Sequence, residues 1–230
     1  MLSDYEIAAL LLSLKVSSIA VIVSLPFGIF CAWLLARVQF PGKSIVDSLI
    51  HLPLVLPPVV VGYMLLISMG RQGFLGHWLF QWLGISFSFS WRGAALASAI
   101  VSFPLMVRAI RQSIETVDIR LEQAARTLGS NKWRVFMTIT LPLISPGIIS
   151  GMIIAFARSL GEFGSTITFV SNIPGETRTI PLAMYSFIET PGAEHEAMRL
   201  CIISIVIALI AMLASQWLTK QALRKTTNLC

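Results

Sequence analysis

Two oppositely charged residues stand four positions apart at the end of an apolar run. At that spacing Arg158 and Glu162 lie on one face of a helix, where each can neutralise the other. A charge at membrane depth is costly unless it is paired or hydrated, so such residues often mark a function. One hypothesis is that Arg158 and the hydroxyls of Ser159, Ser165 and Thr166 line the route of an anion. The alternative is a structural ion pair near the membrane boundary.

The sequence contains no residue pattern typical of a catalytic site. The run Pro41-Gly42-Lys43-Ser44 lacks the earlier glycine of a phosphate-binding loop, because Arg37 occupies that position. The histidines lie in separate segments without metal-ligand spacing or a nucleophile motif: His51, His77 and His195. The cysteines are odd in number and are assigned packing roles: Cys31, Cys201 and Cys230. We therefore expect no catalytic residue, metal site or cofactor.

The composition indicates an integral membrane protein. Hydrophobic residues make up 56% of the chain and charged residues 12%, whereas soluble domains carry about 25% charged residues. We expect one membrane domain over residues 7–219 and a cytoplasmic tail over 220–230. The net charge of +6 does not indicate nucleic acid, because the positive residues lie at the ends of apolar segments, as membrane topology favours.

An all-α fold with five membrane-spanning helices follows from the apolar segments. A span needs about 20 mainly apolar residues, and the segments predicted to cross the membrane are 10–36, 48–70, 92–108, 139–160 and 199–219. The third is the shortest. Residues 74–91 are rich in Trp and Phe, which favours an interfacial helix, with a sixth span as the alternative. Residues 171–196 are expected to form a polar, mildly acidic external loop.

The distribution of Lys and Arg predicts the orientation. Placing the loops near Arg37 and Lys43, from Arg108 to Arg134, and after residue 219 on one side collects eleven cations, against six on the other. By the positive-inside rule the amino terminus is outside and the carboxyl terminus is cytoplasmic.

Prolines are expected to interrupt two of these helices. Pro57 and Pro58 each remove a backbone donor, which favours a broken helix that faces protein and lines a pathway, although ordinary helix bending is the alternative. Pro142 and Pro146 are expected to separate a cytoplasmic helix over 131–140 from the fourth span. In that span small residues allow close helix packing: Gly147, Ser150, Gly151, Ala155 and Ala157.

The cytoplasmic segment 109–138 contains a short amphipathic helix. Asp118 can cap its amino terminus, and Gly129 can adopt the left-handed conformation at its carboxyl end. Its apolar residues recur on one face: Leu121, Ala124, Ala125 and Leu128. Such a face needs a partner surface.

This segment resembles the coupling loop of type I bacterial ABC importer permeases. The run Leu-Glu-Gln-Ala-Ala-Arg-Thr-Leu-Gly over 121–129 and the later Ile139-Thr140-Leu141-Pro142 keep the family's Gly-x9-Ile-x-Leu-Pro spacing. The family usually has Glu where this chain has Gln123, and Glu122 stands one place earlier. The resemblance implies a set of residues that couple the chain to an ATPase: Glu122, Gln123, Ala124, Ala125, Leu128 and Gly129.

A second run narrows the resemblance to oxyanion permeases. Residues 157–164, Ala-Arg-Ser-Leu-Gly-Glu-Phe-Gly, are similar to sulfate and molybdate permeases, and Pro-Gly-Glu-Thr-Arg over 174–178 is most similar to the molybdate members. The resemblance implies a non-enzymatic inner-membrane permease that works by alternating access. Its partners would be a second permease copy, two cytoplasmic ABC ATPases, a periplasmic oxyanion-binding protein and membrane lipid. Sulfate, thiosulfate and tungstate remain alternative substrates, and a secondary transporter or channel remains an alternative mechanism.

Overall fold

The computed structural model describes residues 3–227, and these residues form eleven α-helices and one π-helical segment. In chain order the elements are α1 Asp4–Arg37, α2 Lys43–Val55, α3 Pro58–Met69, α4 Phe74–Leu83, α5 Trp91–Thr116, α6 Ile119–Thr127, α7 Lys132–Val135, the π segment Phe136–Thr140, α8 Leu141–Leu160, α9 Gly164–Val170, α10 Ile180–Glu189 and α11 Glu194–Thr227. The prediction of an all-α fold is confirmed. Residues 220–227 of the expected tail continue α11, whereas residues 228–230, including Cys230, lie outside the described part.

Four helices in the described part are long and apolar enough to cross a membrane: α1, α5, Lys132–Leu160 and α11. The pair α2 and α3 supplies a fifth span if it is counted as one broken helix, because the two parts meet at 111°. The break falls between Leu56 and Pro58, where Leu56 and Pro57 both take extended conformations. A residue before proline avoids the α region, so the consecutive prolines force the helix to end and restart here.

The predicted third span forms the core of the bundle. Helix α5 extends well beyond 92–108, and 61% of the residues in its most apolar stretch are buried. It packs along α1 and α8, and residues such as Ala94, Ala97 and Ile110 have no exposed surface. Arg108 and Arg111 end the apolar segment without ending the helix, since a charge is costly in lipid but is well tolerated in a helix.

The expected separation at Pro142 and Pro146 is wrong, because the helix is continuous from Lys132 to Leu160. The backbone N–H of Leu141 donates to the carbonyl of Phe136, five residues earlier, which closes the π segment. A proline ring normally meets the carbonyl four residues before it. The π turn contains an extra residue and displaces that carbonyl, so Pro142 fits in the first turn of α8 without breaking the helix.

Two glycines bring α8 close to α5 within this chain. A Cβ atom on Gly147 would lie 2.1 Å from the Cβ of Ser113, and one on Gly151 would lie 3.2 Å from Cγ1 of Ile110. The predicted close packing on small residues of the fourth span is therefore present between α8 and α5.

The prediction of a wholly polar loop over 171–196 is wrong. The segment contains α10, which buries Ile180, Leu182 and Ala183 and packs against α1 and α11. The backbone N–H of Ile180 donates to Oγ of Ser13 in α1 at 2.7 Å. The glutamates dominate the charge of the segment, but they flank an apolar run that can bury one helical face.

The aromatic segment 74–91 forms the ten-residue helix α4 and an irregular connection to α5. A helix of ten residues is about half the length that a span requires, so the alternative of a sixth span is excluded for this segment. Phe74, Trp78 and Trp82 are largely exposed.

Candidate coupling and translocation sites

The predicted amphipathic helix is present as α6, with both predicted caps. The carboxylate of Asp118 accepts from the backbone N–H of Arg120 at 2.9 Å. At the other end Gly129 has a φ of +89°, its N–H donates to the carbonyl of Arg126, and the N–H of Ser130 donates to that of Ala125. This pair of hydrogen bonds is a Schellman motif, which ends the helix sharply after Leu128.

One face of α6 carries apolar side chains that the described residues do not cover. Leu121 and Leu128 lie on this face and are exposed, Leu128 by 87%, and no residue of α6 is buried. Ala124 is exposed and Ala125 is half-buried. Exposed apolar residues clustered on one short helix are typical of a binding surface.

Glu122 points toward the rest of this chain. Its Oε1 accepts from Nη2 of Arg37 at 3.0 Å and from Oγ1 of Thr140 at 3.1 Å. The side chains of Arg37 and Glu122 are 13% and 16% exposed. Nη2 of Arg37 also donates to the carbonyl of Val117 at 3.0 Å. The family resemblance placed Glu122 among ATPase-coupling residues, whereas its carboxylate is engaged inside the permease.

The sequence analysis missed the roles of Arg37 and Thr140. Arg37 was counted only as a topological charge, although it is the last residue of α1, where a guanidinium is well placed to bind nearby carbonyls. Thr140 lies inside the Ile-x-Leu-Pro motif and is almost completely buried. A buried hydroxyl needs a hydrogen-bond partner, which is the signal that could have identified it.

Arg158 and Glu162 form the predicted pair at the end of α8. Nη1 of Arg158 lies 2.8 Å from Oε2 of Glu162, and the Glu162 side chain is almost wholly buried. Oε1 of Glu162 accepts from the backbone N–H of Ser165 at 2.8 Å and from its Oγ at 2.7 Å. Glu162 thus stabilises the connection between α8 and α9.

The predicted pathway hydroxyls are largely enclosed in this conformation. Ser159, Ser165 and Thr166 are buried, and Thr166 donates to the carbonyl of Phe163 at 2.8 Å. The side chain of Arg158 is 31% exposed. Among these charged and hydroxyl residues, Arg158 is the one that a passing anion can reach.

The structure brings the broken helix next to this charged segment. A Cβ atom on Gly164 would lie 2.9 Å from Cβ of Pro58, and one on Gly62 would lie 2.5 Å from the carbonyl oxygen of Ser165. Helix α3 therefore packs directly on α9. The two predicted parts of the pathway, Pro57–Pro58 and residues 158–166, lie side by side although a hundred residues separate them in sequence.

An apolar cavity of about 520 Å³ opens nearby, between α8, α10 and α11. Phe163 packs against Tyr185 there, with the ring centroids 5.2 Å apart. The hydrogen bond of Tyr185 with Glu189 raises the pKa of the phenol above its ordinary value. The lining contains no charged residue. This cavity therefore lacks the groups that would hold an oxyanion.

Residues 24–224 match the family described as binding-protein-dependent transport system inner membrane component. The chain belongs to this family. Its relatives include the molybdenum transport system permease protein ModB of Escherichia coli K12, which is 70% identical over 219 residues, covering 95% of this chain and 96% of that protein. The ModB protein of Haemophilus influenzae is 63% identical over 220 residues, covering 96% of each chain.

The fold is also similar to that of a solved importer. The structure of a bacterial ABC transporter involved in the import of the acidic polysaccharide alginate matches with a TM-score of 0.73 at 19% identity, covering 95% of this chain and 80% of that chain. At that identity the likeness concerns the fold alone. The membership in the family of inner-membrane transport components confirms the resemblance to ABC importer permeases seen in the coupling motif.

Proposed function

We propose that this chain is the permease of an ATP-driven importer that carries molybdate across the bacterial inner membrane. The observation that carries the proposal is the 70% identity with ModB over nearly the full length of both chains. The coupling motif and the oxyanion-type run over 157–164 support the same assignment from the residues.

The proposed assembly contains two copies of this permease, two cytoplasmic ABC ATPases and a periplasmic oxyanion-binding protein. The uncovered apolar face of α6 supports an ATPase contact, in which Leu121, Ala124, Ala125, Leu128 and Gly129 would enter a groove and Gln123 would lie beside it. ATP hydrolysis belongs to the partner, because this chain has no phosphate-binding loop. The charge distribution supports an external amino terminus and a cytoplasmic carboxyl terminus.

The proposed translocation path runs beside the break between α2 and α3 and the end of α8. Pro57 and Pro58 hold the break open, and Arg158 offers one partly exposed positive charge. Glu162 pairs with that arginine. The other proposed path residues are Ser159, Ser165 and Thr166, which are buried in this conformation and would line the path only in another one. An anion that meets one arginine, already paired with a carboxylate, is held weakly and can leave again. Selection among oxyanions then rests mainly with the binding protein.

Uptake into liposomes tests the substrate. The permease is reconstituted with its ATPase and loaded binding protein, and labelled molybdate and sulfate are compared. The proposal predicts molybdate uptake that excess unlabelled sulfate reduces only slightly. Uptake of sulfate without molybdate would leave the importer mechanism and replace the substrate.

A further inference from the structure

The strongest unassigned feature is a group of hydrogen bonds that joins α6 to three other parts of the chain. Arg37 ends α1, Val117 caps α5, Glu122 lies in the first turn of α6, and Thr140 ends the π segment before α8. Their side chains and one backbone carbonyl meet through three hydrogen bonds of 3.0 to 3.1 Å. We propose that these residues, which we call the α6 latch, make the coupling helix a rigid extension of α1 and α8.

The chemistry of Arg37 suits this role. One guanidinium nitrogen donates both to the carbonyl of Val117, at the cap of α5, and to the carboxylate of Glu122. It therefore fixes the corner between α5 and α6. A lysine would keep the charge, but it lacks the planar guanidinium that holds several acceptors in fixed directions.

Burial makes the latch stronger than a surface ion pair. The two charged side chains are less than one fifth exposed, and Thr140 is 2% exposed. Partly buried charge-assisted hydrogen bonds are stronger than exposed ones, and their loss leaves a desolvated charge. By contrast, the Arg111–Glu115 pair near the end of α5 has a half-exposed glutamate and lies within one helix.

The consequence for transport rests on the proposed function. An ATPase that moves α6 must also move the end of α1 and the start of α8 while the latch is closed. Helix α8 leads directly to Arg158 and Glu162, so movement at the coupling helix reaches the proposed pathway. Glu122 is thus a positioning residue that transmits movement, and its carboxylate is not the contact with the ATPase.

Glu122→Gln tests this assignment, with Glu115→Gln as the matched control. In the reconstituted transporter we expect Glu122→Gln to copurify with the ATPase and to hydrolyse ATP within about twofold of the unmodified protein. Molybdate uptake per ATP hydrolysed should fall about tenfold, because the substitution removes the negative charge that strengthens the hydrogen bond from Arg37. Glu115→Gln should leave this ratio unchanged. A purely structural role would lower uptake and ATP hydrolysis together.

Variants of Arg37 and Thr140 test the same latch without relying on Glu122→Gln alone. Arg37→Lys should lower the ratio as Glu122→Gln does, and Thr140→Val should lower it less. The double variant Glu122→Ala with Thr140→Val should be no worse than Glu122→Ala alone, because Glu122→Ala already removes the acceptor of the Thr140 hydroxyl. Additive losses would overturn the shared latch.

A second measurement does not depend on transport. In the detergent-purified chain, Glu122→Gln should raise amide hydrogen exchange over residues 119–128, whereas Glu115→Gln should not. Unchanged exchange together with an unchanged uptake ratio would overturn the latch. Loss of the ATPase from the Glu122→Gln complex would also overturn it, because Glu122 would then be a partner contact. Failure of the unmodified transporter to use ATP would instead overturn the proposed function.

Discussion

Single residues define the coupling helix, and Gly129 shows why residue type matters. Its φ of +89° lies in the left-handed region, where a side chain adds about 1–3 kcal/mol of strain. The Schellman hydrogen bonds depend on that conformation. The sequence predicted this cap correctly, because a glycine at the end of a short amphipathic helix has few other roles.

Gly129→Glu should weaken copurification of the ATPase about tenfold or more, since the new side chain both strains the cap and enters the proposed groove. The matched control is Gly192→Glu, at a position with a φ of +87° in the connection before α11. It adds the same strain and charge away from α6. Equal loss of the ATPase in both variants would mean that general strain, and not the coupling surface, is responsible.

Ala125→Asp should also prevent stable ATPase binding, because it places an unpaired charge in the contact. Gln123→Glu adds a charge at a position two residues before Ala125 and restores the usual family residue. This variant should bind the ATPase and transport normally. Pull-down of the ATPase with tagged permease measures both. Normal binding by Ala125→Asp would remove Ala125 from the coupling surface.

Whole elements were predictable where a strong local rule applied. The consecutive prolines at 57 and 58 predicted the break between α2 and α3, and the apolar runs predicted the long helices. The separation predicted at Pro142 was wrong, because the π segment that accommodates this proline has no recognisable sequence signal. The glutamates of the segment 171–196 suggest a polar loop and obscure the apolar run that forms α10. The packing of Gly164 on Pro58 depends on tertiary contacts that a sequence does not contain.

The contact between α5 and α8 gives a stability prediction. Gly147→Ala should destabilise the fold by about 1–3 kcal/mol, the usual cost of overpacking, because its methyl would overlap the Cβ of Ser113. Combining it with Ser113→Gly should recover most of the loss. Gly161→Ala is the control, since a Cβ atom there would lie 4.0 Å from the carbonyl oxygen of Arg158. Thermal unfolding in detergent measures the difference, and a neutral Gly147→Ala would contradict the close contact.

The molecule as a whole is held together from both ends. Near one end Glu6 of α1, fully buried, accepts from Nε of Arg199 in α11 at 3.0 Å. At the other end the α6 latch joins α1 to α6 and α8. Helix α1 therefore links α11 to the coupling helix. In the proposed orientation the latch would lie on the cytoplasmic side.

Thiol labelling tests this orientation. With Cys31, Cys201 and Cys230 replaced by serine, single cysteines are placed at the exposed positions Thr127, Glu194 and Gln221. An impermeant reagent added outside intact cells should label Glu194→Cys and leave Thr127→Cys and Gln221→Cys unlabelled until the membrane is opened. Labelling of all three from outside would overturn this orientation.

Dependence of uptake on ATP and on the binding protein decides whether this chain is the permease of an importer. Liposomes containing the permease and its ATPase are given molybdate, with ATP on the ATPase side, binding protein on the opposite side, or an ion gradient alone. The proposed function predicts uptake only when ATP and loaded binding protein are both present. Uptake driven by the ion gradient without ATP would contradict it and establish a secondary transporter.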